Sequence, residues 1–160
     1  MSRTILRPVL IAAAAAIVVA VLGGTITDLG PWYESLRKPD WQPPGPAFGI
    51  IWTTIYSLTA IAAVLAWRRA PAGQERESLV GLFALNGFLN ILWSLLFFRL
   101  QRPDWALVEV ALLWLSIVAL IVFTARHSRL SGMLLTPYLV WVSIATMLNL
   151  EIVRLNGPFG

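Results

Sequence analysis

The chain contains no cysteine, which excludes disulfides, thiolate metal sites, a thiol nucleophile and palmitoyl or prenyl anchors. Charge is also scarce. Asp, Glu, Lys and Arg make up 12% of the 160 residues, about half the share of a soluble globular domain. The single histidine, His127, lies between Arg126 and Arg129 and reads as a surface residue in a connection. Glu109 and Glu151 fall on different hydrophobic segments with no His or Cys beside them, so neither a metal site nor a nucleophile and base pair can be assembled. Glu109 reads as a satisfied or interfacial acid. No row of gating charges and no charged ring is present, which argues against an ion channel or proton pump. Despite a net charge of +4, no basic run exceeds Arg68-Arg69, so nucleic acid is not an expected partner.

Apolar residues fill the space that charge leaves. They form 58% of the chain, and uncharged windows span 8–27, 41–67, 78–98 and 130–150, with 105–125 broken only by Glu109. A hydrocarbon core about 30 Å thick takes about 20 residues of helix, so each window can cross a bilayer once. The remaining termini and connections are too short to bury a separate soluble core. The expected fold class is an all-α integral membrane protein, a single five-helix domain over 1–160. Its helices are expected at about 8–27, 46–67, 79–98, 104–125 and 132–153, with a loop at 28–45. Short connections after the second, third and fourth helices imply an up-and-down bundle. Lys and Arg number seven on the N-terminal side (Arg3, Arg7, Arg68, Arg69, Arg76, Arg126, Arg129) and five opposite (Arg37, Lys38, Arg99, Arg102, Arg154). That margin favours a cytoplasmic N-terminus.

Local signals refine this outline. Ala12, Ala16, Ala20 and Gly24 recur every fourth residue, a stripe that lets helices approach closely in lipid. In the loop, Pro31, Pro39, Pro43, Pro44 and Pro46 deny regular helix and stiffen the chain. Trp32, Tyr33, Trp41 and Phe48 stud it or its exit, so it can lie over the end of the bundle as a lid. Interfacial anchoring by Trp and Tyr explains the same aromatics without a ligand. Asp104 is placed to cap the fourth helix, and the fifth starts near Ser131 or Gly132 and carries Pro137 inside it as a kink.

Polar residues within spanning helices are costly and mark candidate sites. Asn86 and Asn90 lie four apart, continued on one face by Trp93 and Phe97. Phe48, Trp52 and Tyr56 step by four on the second helix, and Trp141, Ala145 and Asn149 do so on the fifth. Three helices thus present flat aromatics with an amide or hydroxyl close by. Such walls suit a large, flat, mostly apolar ligand, which the indole N–H and phenol O–H would orient. Stripes of this kind also lock helices together, and spacing alone does not separate the two roles.

The stretch Trp32-Tyr-Glu-Ser-Leu-Arg-Lys-Pro-Asp-Trp-Gln-Pro-Pro44 resembles the tryptophan-rich sensory protein family, bacterial relatives of the mitochondrial translocator protein or peripheral benzodiazepine receptor (TspO/MBR). The similarity continues through Phe48-x-x-x-Trp52-x-x-x-Tyr56, Asn90-x-x-Trp93-x-x-x-Phe97-Phe98, Trp105-Ala-Leu-Val-Glu109 and Pro137-Tyr-Leu-x-Trp141-x-x-x-Ala145-x-x-Leu148-Asn149. It implies a five-helix bundle in a bacterial membrane, often a homodimer. The implied ligands are protoporphyrin IX or a related tetrapyrrole, with cholesterol or other sterol-like lipids and benzodiazepine-type ligands in many members. The implied ligand-binding residues are Tyr33, Trp52, Asn86, Asn90, Trp93, Trp105, Trp141, Ala145 and Leu148, under a lid carrying Trp32, Lys38, Pro39, Trp41, Pro43 and Pro44.

A pocket role for Trp105 comes from the resemblance alone. With no His or Cys inside a helix, a tetrapyrrole would be held without axial ligation by the protein, and Lys38 or Arg37 is placed to meet a propionate. No cofactor is required. The leading expectation is therefore a porphyrin-binding sensor or regulator. The alternatives are a light- and oxygen-dependent porphyrin-degrading enzyme, in which Trp52 and Trp141 are redox-active, and a porphyrin or sterol carrier.

Several positions depart from the family pattern. Asn86 stands where Gln is usual, and Ser94-Leu95 where a proline often bends the third helix. Gly81 and Leu85 replace a small-x-x-x-small pair, which leaves the alanine stripe of the first helix as an alternative dimer contact. The segment Leu148 to Arg154 lacks the Tyr of a sterol-recognition pattern.

Overall fold

The computed structural model describes residues 3–160, with side chains from Leu6 onward. The side chain of Arg3, counted above for topology, lies outside the described residues. The helices are α1 (Arg3–Ile26), α2 (Pro31–Ser35), α3 (Gly45–Arg69), α4 (Gln74–Ser94), α5 (Pro103–His127) and α6 (Arg129–Asn156). There is no strand among the described residues. Five helices are long and apolar enough to cross a membrane, with mean hydropathies of 1.6 to 2.7. The chain is an all-α integral membrane protein.

The long helices form a ring in the order α1, α3, α6, α5, α4, and α4 closes back on α1. The α5–α6 hairpin packs most extensively, while α1 leans only on α3, on α4 and on the turn that follows α4. The core between α3, α4, α5 and α6 contains Ile55, Leu89, Val110, Leu113, Ile117 and Tyr138. Neighbours in lipid gain little from hydrophobicity, so close packing and interhelical hydrogen bonds hold the bundle. Asn86 Nδ2 donates to Ser116 Oγ at 2.9 Å, and Trp114 Nε1 donates to Ser143 Oγ at 2.9 Å. Asn149, with its amide oriented to suit its neighbours, donates to the Pro103 carbonyl at 3.0 Å and accepts from Leu107 N–H at 3.1 Å. It thereby ties α6 to the first turn of α5.

The helices outrun their uncharged windows. α1 begins at Arg3 rather than 8, because a long basic side chain near a helix end, here Arg7, can reach back to the interface and need not end the helix. α4 begins at Gln74 rather than 79, with Glu75 and Glu77 in its first turn, where the helix dipole favours anions. α5 starts at Pro103, where the missing N–H costs nothing. Asp104 is not its cap; its carboxylate instead takes the Arg102 guanidinium at 2.5 and 2.8 Å. α6 starts at Arg129, earlier than Ser131, because Ser128 Oγ caps it by accepting from Ser131 N–H at 3.3 Å. Two isolated readings also change. His127 is largely buried with Nε2 3.2 Å from Glu75 Oε2, and Glu109 is buried with neither carboxyl oxygen hydrogen-bonded among the described residues.

Two helices depart from regular α geometry, α4 at the loop end and α6 nearer the opposite end. Where a family proline would bend the helix, α4 instead widens into a π-helical turn over Leu95–Arg99, with Leu100 N–H reaching the Leu95 carbonyl at 2.9 Å. In α6, Pro137 frees the Met133 carbonyl, and the Thr136 hydroxyl takes it at 2.7 Å.

Close approach within the α5–α6 hairpin depends on Gly132. A Cβ there would stand 2.9 Å from Ala125 Cβ and 3.2 Å from the Ile121 carbonyl oxygen. Gly132→Ala should therefore force the hairpin apart and cost about 1–3 kcal/mol, read as a lower midpoint in detergent-induced unfolding.

Candidate functional site

A cavity of about 860 Å³ occupies the loop end of the ring between α1, α3, α4 and α6. Its volume is within the roughly 300–1,000 Å³ typical of small-molecule sites. The four-residue spacing on α3 and α6 sends Phe48, Trp52, Trp141 and Ala145 to one space. Trp52 stacks on Tyr56 with ring centres 5.3 Å apart and meets Trp141 edge-on at 6.5 Å, while Phe48 meets Trp141 at 5.4 Å. On α4 the π turn brings successive rings together. Trp93, Phe97 and Phe98 all line the cavity, with centres 5.2 Å apart for Trp93–Phe97 and 4.8 Å for Phe97–Phe98. Broad π-faces therefore border the cavity on three helices.

Most of the polar groups on these walls are already occupied. Tyr56 O–H donates to Asn90 Oδ1 at 2.9 Å, and Asn90 Nδ2 donates to the Tyr138 hydroxyl oxygen at 3.0 Å. Thr53 and Ser57 hydroxyls donate to carbonyls one turn back at 2.8 Å. Trp141 Nε1 is enclosed within the wall, without an acceptor among the described residues. No charged side chain lines the cavity among those residues.

The loop covers part of this space. Thr27, Leu29, Tyr33 and Gln42 line the cavity. Gln42 Nε2 lies 3.4 Å from the Tyr33 hydroxyl, and the Tyr33 ring packs on Phe98 at 5.6 Å. Burial raises the Tyr33 phenol above its usual value, so it remains a neutral O–H donor at neutral pH. The loop is also partly helical, contrary to the expectation from its prolines. Pro31 opens α2 at the position where proline is tolerated.

Among the expected site residues, Tyr33, Trp52, Asn90, Trp93, Trp141, Ala145 and Leu148 converge on the cavity. Two do not reach it. Asn86 turns to Ser116 in the α4–α5 interface. Trp105 is 55% exposed on the outer side of α5, under the Arg102 guanidinium at 4.5 Å, because Ala106 is the residue of that turn that packs inward.

The lid residues divide as well. Trp32 tucks against Phe97 at 6.2 Å, outside the cavity lining, and Trp41 is 52% exposed. Pro39, Pro43 and Pro44 shape the chain without lining the cavity. Lys38 is not free to meet an anion. Its Nζ donates to the carbonyls of Tyr33, Leu36 and Glu34 at 2.6, 3.2 and 3.4 Å, closing the C-terminal end of α2.

The sequence reading missed the contribution of α1. Ala16, Ala20 and Gly24 of its small-residue stripe line the cavity. That stripe was the available signal, but the side it faces depends on packing.

A profile of the TspO/MBR family matches residues 10–155. The chain belongs to that family. It is 38% identical over 136 residues to protein CrtK of Rhodobacter capsulatus, covering 83% of each chain. It is 41% identical over 129 residues to tryptophan-rich protein TspO of Chlorobaculum tepidum, covering 78% of this chain and 79% of the other. The human translocator protein is 34% identical over 126 residues, with 78% and 75% covered. The TspO/MBR match extends from α1 to the last turn of α6 and therefore includes all four helices around the cavity and its loop cover.

Proposed function

We propose that this TspO/MBR protein is a membrane-embedded sensory or regulatory receptor for a flat, largely apolar ligand of the tetrapyrrole class, protoporphyrin IX or a relative. The carrying observation is the cavity of about 860 Å³, bordered by the aromatic side chains of Trp52, Trp93 and Trp141. Aromatic faces hold a macrocycle by offset stacking and edge contacts. The names of the relatives, which include sensory and translocator proteins, support a ligand-responsive membrane role. Lys38 is committed to α2, so propionates point to the loop surface, where Arg37 is exposed.

Titration of nanodisc-embedded protein with protoporphyrin IX in the dark tests this reading through tryptophan quenching and the porphyrin absorption band. Saturable one-site binding is expected, weakened at least tenfold when Trp52→Phe and Trp141→Phe are combined. Binding indifferent to both tryptophans would return the aromatic stripes to packing alone. Repetition under illumination separates receptor from enzyme, because a defined product lost in the same double variant would favour porphyrin degradation.

A further inference from the structure

Besides its apolar contacts, the loop is hydrogen-bonded to α6 by one side chain far away in sequence. Asn156 is the last residue of α6. Its Oδ1 accepts the Arg37 backbone N–H at 2.7 Å. Its Nδ2 donates to the Arg37 carbonyl at 2.8 Å and to the Ile152 carbonyl, one turn back in its own helix, at 2.9 Å. The amide therefore uses its acceptor and both donor hydrogens at once. Asp cannot supply the donors and Ala supplies nothing. The chain leaves directly after Asn156 through Gly157, where a Cβ would stand 2.8 Å from the Val153 carbonyl oxygen.

Around this joint, Leu36 is buried with Phe97, Ala106 and Ile152, and Lys38 closes α2. Residues 31–38 thus form one rigid piece docked on α6, and it carries Tyr33 over the cavity. Ile152, held by the same amide, lines that cavity. The two bonds to Arg37 lie on the solvent side, so water can replace them when the piece lifts, without stranding a buried polar group. A joint that is specific when closed and solvated when open has the properties of a latch.

We propose that Asn156 is the positioning residue that holds the lid closed over the cavity and so sets how long an occupant stays. The retention of an occupant rests on the receptor reading above, whereas the closing of the lid does not. The absence of native cysteine allows the two to be tested apart. Ala145→Cys places a sole thiol on the cavity wall, and its reaction with a charged, water-soluble methanethiosulfonate reports opening at the loop.

Adding Asn156→Ala should speed that reaction about fivefold, on the scale of losing weak solvent-side hydrogen bonds. Asn156→Asp, which keeps only the acceptor, should give a smaller rise. Ser143→Ala, which releases Trp114 on another face, is the control for general loosening and should leave the rate unchanged. An unaltered rate in Asn156→Ala, or an equal rise in Ser143→Ala, overturns the latch.

The dissociation rate of protoporphyrin IX in the dark should rise by the same factor in Asn156→Ala. An unchanged dissociation rate overturns control of residence by the latch. Failure of the unmodified chain to bind porphyrin overturns the receptor reading, and the thiol rates still decide the latch.

Discussion

Ala145→Phe is expected to abolish porphyrin binding, lowering affinity by more than about 100-fold, while leaving the fold intact. Ala145 lines the cavity on α6 one turn beyond Trp141, and its small side chain leaves the space between the facing indoles open. A phenyl ring there would fill volume that a ligand needs. It meets no close-packed core on that side, so overpacking strain, which costs about 1–3 kcal/mol in filled interiors, should be small. The unfolding midpoint should stay the same or rise. Removing Trp141 would be less informative, because it is only 6% exposed and contacts Phe48 and Trp52. A buried Trp→Ala change costs about 3–5 kcal/mol by itself, which confounds lost binding with lost structure. Equilibrium titration of the Ala145→Phe protein in nanodiscs decides the matter: affinity within threefold of the unmodified chain would place the ligand elsewhere.

This variant can be chosen because part of the site was legible as spacing. Phe48-Trp52-Tyr56 and Trp141-Ala145-Asn149 each repeat every four residues, so each had to share a face, and the cost of burying Asn90 in lipid marked an inward direction. Five crossings followed from windows without charge and from the bilayer thickness. Spacing does not say which way a face turns relative to the neighbouring helix. Trp105 and Ala106 differ by about 100° around α5, and the α5–α6 contact turns the alanine inward and leaves the indole outside. Asn86 and Asn90 share a stripe on α4 yet serve different partners, Ser116 and the tyrosine pair, because α5 and α6 meet that stripe at different depths.

The π turn had no local signal. It replaces a family proline with an extra residue per turn, which the sequence records only as the missing proline at Ser94-Leu95. The latch was equally hidden, since Arg37 and Asn156 are 119 residues apart and the contact engages only the backbone of one of them. Resemblance carried the family and its expected ligand. It also carried Trp105 into the pocket, where this chain does not place it.

The polar bridge beneath the cavity should be its most sensitive structural element. Asn90 is 5% exposed and Tyr138 2% exposed, and Asn90 joins Tyr56 of α3 to Tyr138 of α6 through bonds of 2.9 and 3.0 Å. One side chain on α4 thus sets the spacing of both opposite walls. Asn90→Leu keeps the volume but removes both bonds. The Tyr56 hydroxyl borders the cavity and can turn to water or ligand, whereas the Tyr138 hydroxyl is enclosed. Hydrogen bonds between membrane helices average about 0.6 kcal/mol each, and a buried hydroxyl left without a partner adds about 1–3 kcal/mol. Asn90→Leu should therefore destabilise the bundle by about 2–4 kcal/mol, measured by reversible unfolding in mixed detergent micelles. The decisive comparison adds Tyr138→Phe. Removing the stranded hydroxyl should return about 1 kcal/mol, so that the double variant is more stable than the sum of the single costs implies. Strict additivity would mean that the two groups do not act as one bridge, and that the walls of the cavity are positioned by packing alone.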